Sequence, residues 1–399
     1  MKGKVTSVLL LLLGGAVPTL WLVLFQQSGD DVRERKHLER LVRSLHLAQR
    51  KTDNITSQQE TEDDRIVKLK FPWLPKKNTL PNFFHRTKHD RSDGFQDNEY
   101  VTGSLVFGDN PRAADVPLME CVRRISVTNY LSTSPIMSSG NRLAWESADD
   151  KMKKFRNKIK IHRGSYSFGV CESLNVSCSY VMMFRNPLEQ ALSNYQYCKY
   201  ELTDELCQGV NANKVTLRQW ILFHGSELFK QLIFSPHFCT DSVNVSVTVP
   251  DEVWFGNKHD SPCWLKQKVL MEKFSKIDII HATSYIVRHL EQWFGVVGLY
   301  DQMADSLKMF QTVYKLPFTK CYETKKTRPD VADEDVTSEN SATSVVQRKS
   351  EFFDENDLHY LRDDIYVKEA LSADNMIYKE AARLFNIQKQ LYTNKLRAL

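Results

Sequence analysis

An arginine, a proline and a serine stand where a buried strand is expected to turn into a helix. Tyr180 to Phe184 form a short apolar run with strand formers at its start. Asn186 suits the N-cap of a helix and Pro187 its first position. Arg185 therefore stands where a strand ends and helix N–H groups attract anions. Ser193 lies about 10 Å along this helix, so it can join Arg185 only around an anion of phosphate size or larger.

The elements expected to position these residues alternate along the chain between strands and helices. Apolar runs predict further strands at 104–107, 158–162, 277–281 and 296–297. Helical patterns occupy 118–129, 216–232, 284–294, 302–310 and 354–396, and a polar loop is predicted at 324–350. Such alternation indicates an α/β domain with a central, mainly parallel sheet flanked by helices. In open sheets of this kind, ligands bind outside the carboxyl ends of the strands.

The amino terminus predicts a membrane anchor. Residues 5–25 carry no charge and are long enough to cross a bilayer as a helix. Lysines precede this stretch and aspartates follow it, which leaves residues 1–4 cytoplasmic and the rest lumenal. A cleavable signal peptide is the alternative, but its apolar stretch is usually shorter.

A stem is predicted between the anchor and the globular domain. It spans 26–99 and begins with apolar residues at helical spacing among many charges, followed by a polar, flexible stretch. Copies of the chain could associate through the stem helix, which is too short to predict an oligomer by itself. The lumenal domain is placed at 100–399.

Sequons and cysteines both suit an oxidising lumen. Glycosylation sequons begin at Asn54, Asn175 and Asn244. The eight cysteines are an even number, and Cys171 with Cys178 and Cys239 with Cys263 are candidate disulfides, although sequence does not determine the connectivity. No zinc-type spacing with histidines occurs, so no metal is expected. The net charge of +5 is a mild excess that identifies no partner, and no nucleic acid is expected.

These features resemble the membrane-bound Golgi carbohydrate sulfotransferases, and most of all their heparan and uronyl 2-O-sulfotransferase branch. In that family Arg-Asp/Asn-Pro and a downstream serine hold the 3′-phosphate of the donor PAPS, a pattern that Arg185 to Pro187 and Ser193 match. The stretch 290–307 resembles a strand–helix pair found late in the family, and 374–385 resembles its terminal helix. The resemblance covers roughly 104–385. It implies a P-loop-like sulfotransferase fold and a short-loop disulfide between Cys198 and Cys207.

The resemblance weakens at the loop that would hold the 5′-phosphosulfate. The family has a glycine-rich loop after the first strand, and the equivalent here is Pro111 to Pro117. Arg112 can keep a positive charge beside the transferred group. Asp115 and Val116 replace the expected glycine and threonine, and a carboxylate beside a phosphate is unfavourable. This half of the donor site is therefore expected to be altered.

The general base is the second departure from the family pattern. The family places a histidine in a Gly-His-aromatic-Pro-aromatic-Gly stretch, and Ser165 occupies its place here. Serine cannot act as a base at neutral pH. His162 and Glu172 are the remaining candidates. His162 would face the opposite side of the sheet from Ser165, and it is alternatively a partly buried histidine at a strand end.

The resemblance implies a PAPS-dependent O-sulfotransferase that acts on a hydroxyl of a glycosaminoglycan-like glycan at the Golgi membrane. The expected donor-binding residues are Arg112, Arg185 and Ser193, and the expected catalytic residues are His162, Glu172 and Arg112. A catalytically inactive relative that binds nucleotide or glycan, or assists a paralogue, is the alternative because of the two departures. A Golgi glycosyltransferase also fits the topology and is the third alternative.

Overall fold

The structure is a computed structural model of the chain. It describes residues 78–85, 98–110, 115–147, 149–201, 203–234, 239, 249–256, 261–321 and 355–397. The predicted tail, anchor, most of the stem, Arg112, the sequons at Asn54 and Asn244 and the loop at 324–350 lie outside these residues. Asn175 is described and is exposed. In the described part of the chain, no helix is both long and apolar enough to cross a membrane.

A parallel sheet of five strands forms the centre of the fold. Its strands are β1 (Ser104–Gly108), β2 (Thr133–Ile136), β3 (Ile161–Gly164), β4 (Cys178–Phe184) and β7 (Phe294–Leu299), in the order β2-β3-β1-β4-β7. Two short antiparallel strands, β5 (Gly209–Val210) and β6 (Trp254–Phe255), pair separately. Every residue of β1, β4 and β7 is buried, as expected for parallel strands covered on both faces. The predicted α/β class with a central parallel sheet is confirmed.

Helices flank this sheet and connect its strands. Those of the amino-terminal half are α1 (Asn98–Thr102), α2 (Asp115–Thr128), α3 (Ser139–Glu146), α4 (Asp150–Arg156), α5 (Pro187–Cys198), α6 (Leu217–His224) and α7 (Glu227–Ile233). The remainder are α8 (Cys263–Met271), α9 (Lys276–Trp293), α10 (Met303–Tyr314), α11 (Glu355–Asp363), α12 (Ile365–Ala370) and α13 (Ser372–Arg397). The long helix α13 packs along α9 and β7, and its Ala381, Leu384 and Phe385 are fully buried.

The strand order creates a crevice between β1 and β4. These strands are neighbours, and Gly108 at the end of β1 pairs with Met182 of β4. From β1 the chain crosses through α2 to β2 and β3, whereas from β4 it continues through α5 towards β7 on the opposite side. Ligands of open α/β sheets bind at the carboxyl ends of strands where the connections diverge in this way. The predicted anion site at Arg185 lies at this position.

The strand predicted at 277–281 is wrong, because this segment lies inside α9. Ser275 caps the helix, and its hydroxyl accepts from the backbone N–H of Asp278 while the Asp278 carboxylate accepts from the backbone N–H of Ser275. Ile277 and Ile280 are 62% and 55% exposed, so the apolar run is not a buried strand. A reciprocal cap outweighs a short run of β-branched residues, which cannot by itself distinguish strand from helix.

All eight cysteines form disulfides. The pairs are Cys121–Cys321, Cys171–Cys178, Cys198–Cys207 and Cys239–Cys263. Three of them join cysteines that the sequence suggested as partners. The fourth links α2 to the turn after α10 across a separation of 200 residues. It therefore ties the first helix that follows β1 to a helix near the end of the sheet.

Candidate functional site

Arg185 lies at the carboxyl end of β4, directly before the capped start of α5. The Asn186 side chain accepts from the backbone N–H groups of Leu188 and Glu189 at 3.1 and 3.3 Å, and Pro187 occupies the first turn, as predicted. The Arg185 guanidinium lies over the Tyr300 ring, 4.3 Å from its centroid. Tyr300 begins the turn after β7, the neighbouring strand. This cation–π contact holds the guanidinium beside the amino end of α5.

Asn110 connects the loop after β1 to the same edge of the sheet. It is 2% exposed, and its amide nitrogen donates to the carbonyl oxygen of Met183 at 3.3 Å. Its side-chain oxygen accepts from Gln190 Nε2 at 2.5 Å. The chain that would carry Arg112 therefore leaves β1 beside the end of β4 and the first turn of α5. Arg112 itself lies outside the described residues.

A second helix begins close to this crevice. The predicted phosphosulfate loop was placed at Pro111 to Pro117, but α2 begins at Asp115. The second half of that loop is therefore the first turn of a helix, where the missing N–H of Pro117 leaves no gap in the hydrogen bonding. The amino ends of α2 and α5 follow adjacent strands, and the positive end of each helix dipole favours an anion there.

Ser193 is half-buried on α5, about two turns beyond Asn186. Two other polar residues of α5 face inward, since Gln190 and Asn194 are only 5% and 1% exposed. Both make contacts at the carboxyl edge of the sheet, Gln190 with Asn110 and Asn194 with Glu227. The structure thus places Ser193 on the helix that follows Arg185.

His162 is completely buried in β3. Its ring makes an edge-to-face contact with Trp145 at 5.2 Å. Burial lowers the pKa of His162 to about 3, the charge of Arg142 adds to this effect, and the backbone of Ile159 opposes it only in part. A base must reach its substrate and accept a proton. Neither the burial nor the pKa of this histidine favours that role.

Glu172 lies towards the opposite edge of the sheet from Arg185. It belongs to the short helical turn that precedes β4, and its carboxylate accepts from the Tyr180 hydroxyl at 2.8 Å. The same hydroxyl accepts from the backbone N–H of Cys171 at 2.9 Å. Tyr180 is separated from the end of β4 by roughly 13 Å of strand. The structure therefore does not bring Glu172 together with Arg185.

A cavity of about 100 Å³ opens at the carboxyl ends of β1 and β3. Its lining includes Asp109, Ser165, Tyr166, Glu205, Glu227 and Lys230. The Ser165 hydroxyl donates to Asp109 at 3.3 Å. These residues come from four separate parts of the chain, and the sequence drew attention only to Ser165. The cavity and the arginine share the carboxyl edge of the sheet, the cavity at the ends of β1 and β3 and the arginine at the end of the neighbouring strand β4.

Glu205 is a carboxylate of the cavity that accepts hydrogen bonds from several parts of the chain. It accepts from the backbone N–H of Cys263 at 3.0 Å, from the Ser139 hydroxyl at 3.1 Å and from the Tyr166 hydroxyl at 3.5 Å. Burial raises the pKa of Glu205, although the hydrogen bonds from Cys263 and Ser139 oppose the change. A carboxylate with a raised pKa is a stronger base. In the sequence, the only feature that could have drawn attention to Glu205 is its place within the Cys198–Cys207 disulfide loop.

His224, Glu227 and Lys230 form a buried cluster behind the cavity. His224 Nδ1 and the Asn194 amide nitrogen each lie 2.7 Å from a different oxygen of Glu227, and the Lys230 ammonium donates to the His224 carbonyl at 2.6 Å. Burial lowers the pKa of His224. Burial alone would raise the pKa of Glu227, but the hydrogen bond from His224 and the nearby charges lower it. The lowered pKa of Glu227 favours its ionised form, which can only accept, so His224 Nδ1 is the donor in this contact.

The carboxyl-terminal helix holds this cluster in place. Asp374 of α13 is 5% exposed, and its carboxylate accepts from the backbone N–H groups of Leu228 and Phe229 at 3.1 and 2.7 Å. These groups lie in the first turn of α7, which also carries Glu227 and Lys230. The geometry of the cavity therefore depends on a residue about 145 positions further along the chain.

Lys230 should make the stability of the protein depend on pH in a defined window. Burial lowers the pKa of Lys230 from 10.5 to about 8, and Glu227 opposes this only in part. The folded state therefore binds fewer protons than the unfolded state between pH 8 and 10.5, so this residue makes the free energy of unfolding rise with pH there. Below pH 8 the buried charge costs about 3 kcal/mol at ~1.4 kcal/mol per pKa unit.

The measurement is urea unfolding at pH 7, 8, 9 and 10 for the wild type and Lys230→Met. Between pH 8 and 10 the free energy of unfolding should rise by about 2 to 3 kcal/mol less in the variant than in the wild type. If the free energy of unfolding changed with pH identically in the two proteins, the lysine would have its ordinary pKa in the folded state.

Comparisons with known proteins supply no independent assignment. No protein-family profile matches the sequence, and no curated protein matches it. Within the described residues, no group of His, Cys, Asp and Glu could hold a metal ion. The functional assignment therefore depends on the motif at Arg185 and on the geometry of the sheet edge.

Proposed function

We propose that this protein is a PAPS-dependent O-sulfotransferase of the membrane-bound carbohydrate type, built on a P-loop-like fold. The observation that carries this proposal is the position of Arg185 at the switch point of a parallel sheet. Its guanidinium stacks on Tyr300 beside the capped amino end of α5. A planar cation beside the positive end of a helix dipole suits a phosphate of a nucleotide.

The donor would occupy the crevice between β1 and β4. Arg185 and Ser193 would hold its 3′-phosphate, and the positive end of the α5 dipole would favour the charge. Arg112 and the first turn of α2 would face the 5′-phosphosulfate. Two helix amino ends at adjacent strand ends support this assignment, because the donor carries phosphate at both ends of its ribose.

The reaction transfers a sulfuryl group to an acceptor hydroxyl. The acceptor oxygen attacks sulfur, the bond from sulfur to the bridging oxygen breaks, and adenosine 3′,5′-bisphosphate leaves with the bonding electrons. The proton of the hydroxyl passes to a base. As in phosphoryl transfer, positioning and positive charge supply most of the rate. The required base must touch the acceptor in a cavity beside the donor.

We assign the base to Glu205 in place of His162 and Glu172. Glu205 lines the cavity at the sheet edge, and burial raises its pKa. His162 is buried away from the cavity, and Glu172 is bound to Tyr180 towards the other edge of the sheet. A buried carboxylate with a raised pKa is suited to accept a proton near neutral pH.

Glu205→Gln should lower kcat for sulfuryl transfer by roughly 10²- to 10⁴-fold, the usual contribution of a general base. Glutamine retains the oxygen that accepts from the Cys263 N–H, so folding and nucleotide affinity should be unchanged. Transfer of radiolabelled sulfate and calorimetric titration with adenosine 3′,5′-bisphosphate measure the two effects.

Glu172→Gln is the matched control, and it should change kcat by less than about threefold. A large loss in Glu172→Gln with normal turnover in Glu205→Gln would return the base to Glu172. Comparable losses in both variants would indicate a shared structural effect.

A catalytically inactive, nucleotide-binding member of the same family is the second candidate. The unfavourable positions of His162 and Glu172 favour it, together with the absence of the family's glycines from the loop after β1. Radiolabelled sulfate transfer by the purified protein onto a panel of glycans separates the two candidates. Binding of adenosine 3′,5′-bisphosphate without transfer would support the inactive form. The absence of both binding and transfer would exclude both.

The proposed location is the Golgi membrane, with residues 5–25 as the anchor and the folded domain in the lumen. Four disulfides support an oxidising compartment. The exposed Asn175 is accessible to the lumenal glycosylation machinery. Digestion of sealed Golgi vesicles tests the topology, because the folded domain should resist an added protease until detergent opens the membrane.

A further inference from the structure

The cavity beside the proposed donor site is acidic. Among the described residues that line it, four carry carboxylates and one carries an ammonium group. The carboxylates are those of Asp109, Asp204, Glu205 and Glu227, and the ammonium is that of Lys230. The ammonium is already engaged, since it donates to the carbonyl of His224 and lies 5.3 Å from the centre of the Trp264 ring. An anionic sugar entering this cavity would meet like charges at short range.

Two neutral amides in the same cavity each have a buried polar atom with no hydrogen-bond partner among the described residues. Gln267 is 2% exposed, and its Nε2 has no hydrogen-bond partner among the described residues. The buried Oε1 of Gln231 also has none within that part of the chain. Both side chains line the cavity. Buried amide groups left unsatisfied are costly, so native structures rarely keep them without a ligand or an ordered water.

These amides and the aromatic groups match the chemistry of a sugar ring. Gln267 offers an N–H donor and Gln231 a carbonyl acceptor, and a hydroxyl group can satisfy both because it donates and accepts. The indole of Trp264 and the phenol rings of Tyr166 and Tyr197 line the same space. Carboxylates bind hydroxyl donors strongly through charge-assisted hydrogen bonds. The lining therefore favours an uncharged, hydroxyl-rich ligand.

We infer that the cavity binds an uncharged sugar, and that the acceptor of the reaction is a neutral glycan end rather than a glycosaminoglycan. The second statement rests on the proposed sulfotransferase function, whereas the first concerns binding alone. The carboxylates exclude uronic acids and sulfated sugars by repulsion, and the two amides orient the hydroxyl groups. In this proposal a neutral glycan replaces the glycosaminoglycan-like acceptor that the sequence resemblance implied.

The test compares sugar binding by the detergent-solubilised full chain with adenosine 3′,5′-bisphosphate present. The probes are lactose and maltose as uncharged disaccharides, and disaccharides from heparin and chondroitin sulfate as anionic ones. Ligand-observed NMR titration measures each dissociation constant. The uncharged probe that binds better should have at least tenfold higher affinity than either anionic probe, and the difference should shrink as salt concentration rises.

Two variants link the preference to the cavity. Gln267→Ala should weaken binding of the uncharged probe by about tenfold or more, whereas Gln196→Ala, on α5 outside the cavity lining, should leave it unchanged. Asp204→Asn keeps an oxygen that can accept from the Leu206 N–H. Because it removes a negative charge, it should reduce the difference in affinity between the uncharged and the anionic probes. This second variant keeps the test decisive if Gln267→Ala folds poorly.

The outcomes separate binding from catalysis. Binding of an uncharged probe without sulfate transfer to any acceptor would uphold the cavity assignment and overturn the proposed function. Tighter binding of anionic probes would overturn the inference, even if sulfate transfer to glycosaminoglycans upheld the function. No binding of any probe would show that the amides are satisfied by water alone, which would also overturn the inference.

Discussion

Arg185→Ala should weaken the binding of adenosine 3′,5′-bisphosphate by on the order of 100-fold. Hydrogen bonds to charged groups contribute about 1.5 to 3 kcal/mol each, and ~1.4 kcal/mol corresponds to a factor of ten in affinity. The guanidinium is held over Tyr300 at 4.3 Å, so the wild-type protein loses little side-chain entropy when the phosphate binds. Isothermal titration calorimetry of the purified chain measures the change.

Two further arginine variants determine whether the effect is specific. Arg383→Ala removes an arginine that is 54% exposed and pairs with Glu380 on α13, so nucleotide affinity should stay at the wild-type value. Arg185→Lys keeps the charge but loses the planar fork and its stacking on Tyr300, and it should give an intermediate affinity. Wild-type affinity in Arg185→Ala would mean that the 3′-phosphate binds elsewhere and would remove the main support for the proposed function.

Replacing both Cys121 and Cys321 with alanine should destabilise the protein by about 5 kcal/mol, on the chain-entropy estimate for a disulfide that closes a loop of this length. This bond closes a separation of 200 residues and ties α2 to the turn after α10. Such a loss is comparable to the whole stability of many domains. Urea unfolding under oxidising conditions measures it, provided that the remaining three bonds are verified by mass spectrometry.

The matched control removes the disulfide between Cys171 and Cys178, which are only seven residues apart. The same estimate gives about 2.5 kcal/mol for this short loop. The long-range variant should therefore be the less stable of the two. An equal or smaller loss for the long-range pair would mean that local strain or packing, and not loop closure, dominates the contribution of these bonds.

The elements that the sequence predicted well are those whose causes are local. The cap at Asn186, the proline after it and the apolar run before it lie within a few residues of one another, and they specify the turn from β4 into α5 without help from the rest of the chain. The alternation of strands and helices likewise predicted the parallel sheet. The strand at 277–281 failed because a cap at Ser275 competed with the apolar run.

The candidate catalytic residues were harder to predict because catalysis depends on contacts across the fold. His162 lies only a few residues from Ser165 in sequence, yet it points into the core while Ser165 lines the cavity. Alternation along a strand predicts opposite faces. It does not predict that the space on one face is filled by Trp145. Burial, and with it the pKa near 3, therefore had to be read from the packing.

The sequence by itself predicted the α/β class and the turn from β4 into α5 at Arg185, since periodicity and capping act between near neighbours in the chain. Only the tertiary structure decided what surrounds that site. Asp109, Glu205, Glu227 and Gln267 meet in one cavity although nearly 160 residues separate the first from the last. Charge and hydrogen-bond satisfaction are properties of groups that are close in space. The acidic character of the cavity therefore follows from the fold, and with it our proposal of an uncharged sugar as the ligand.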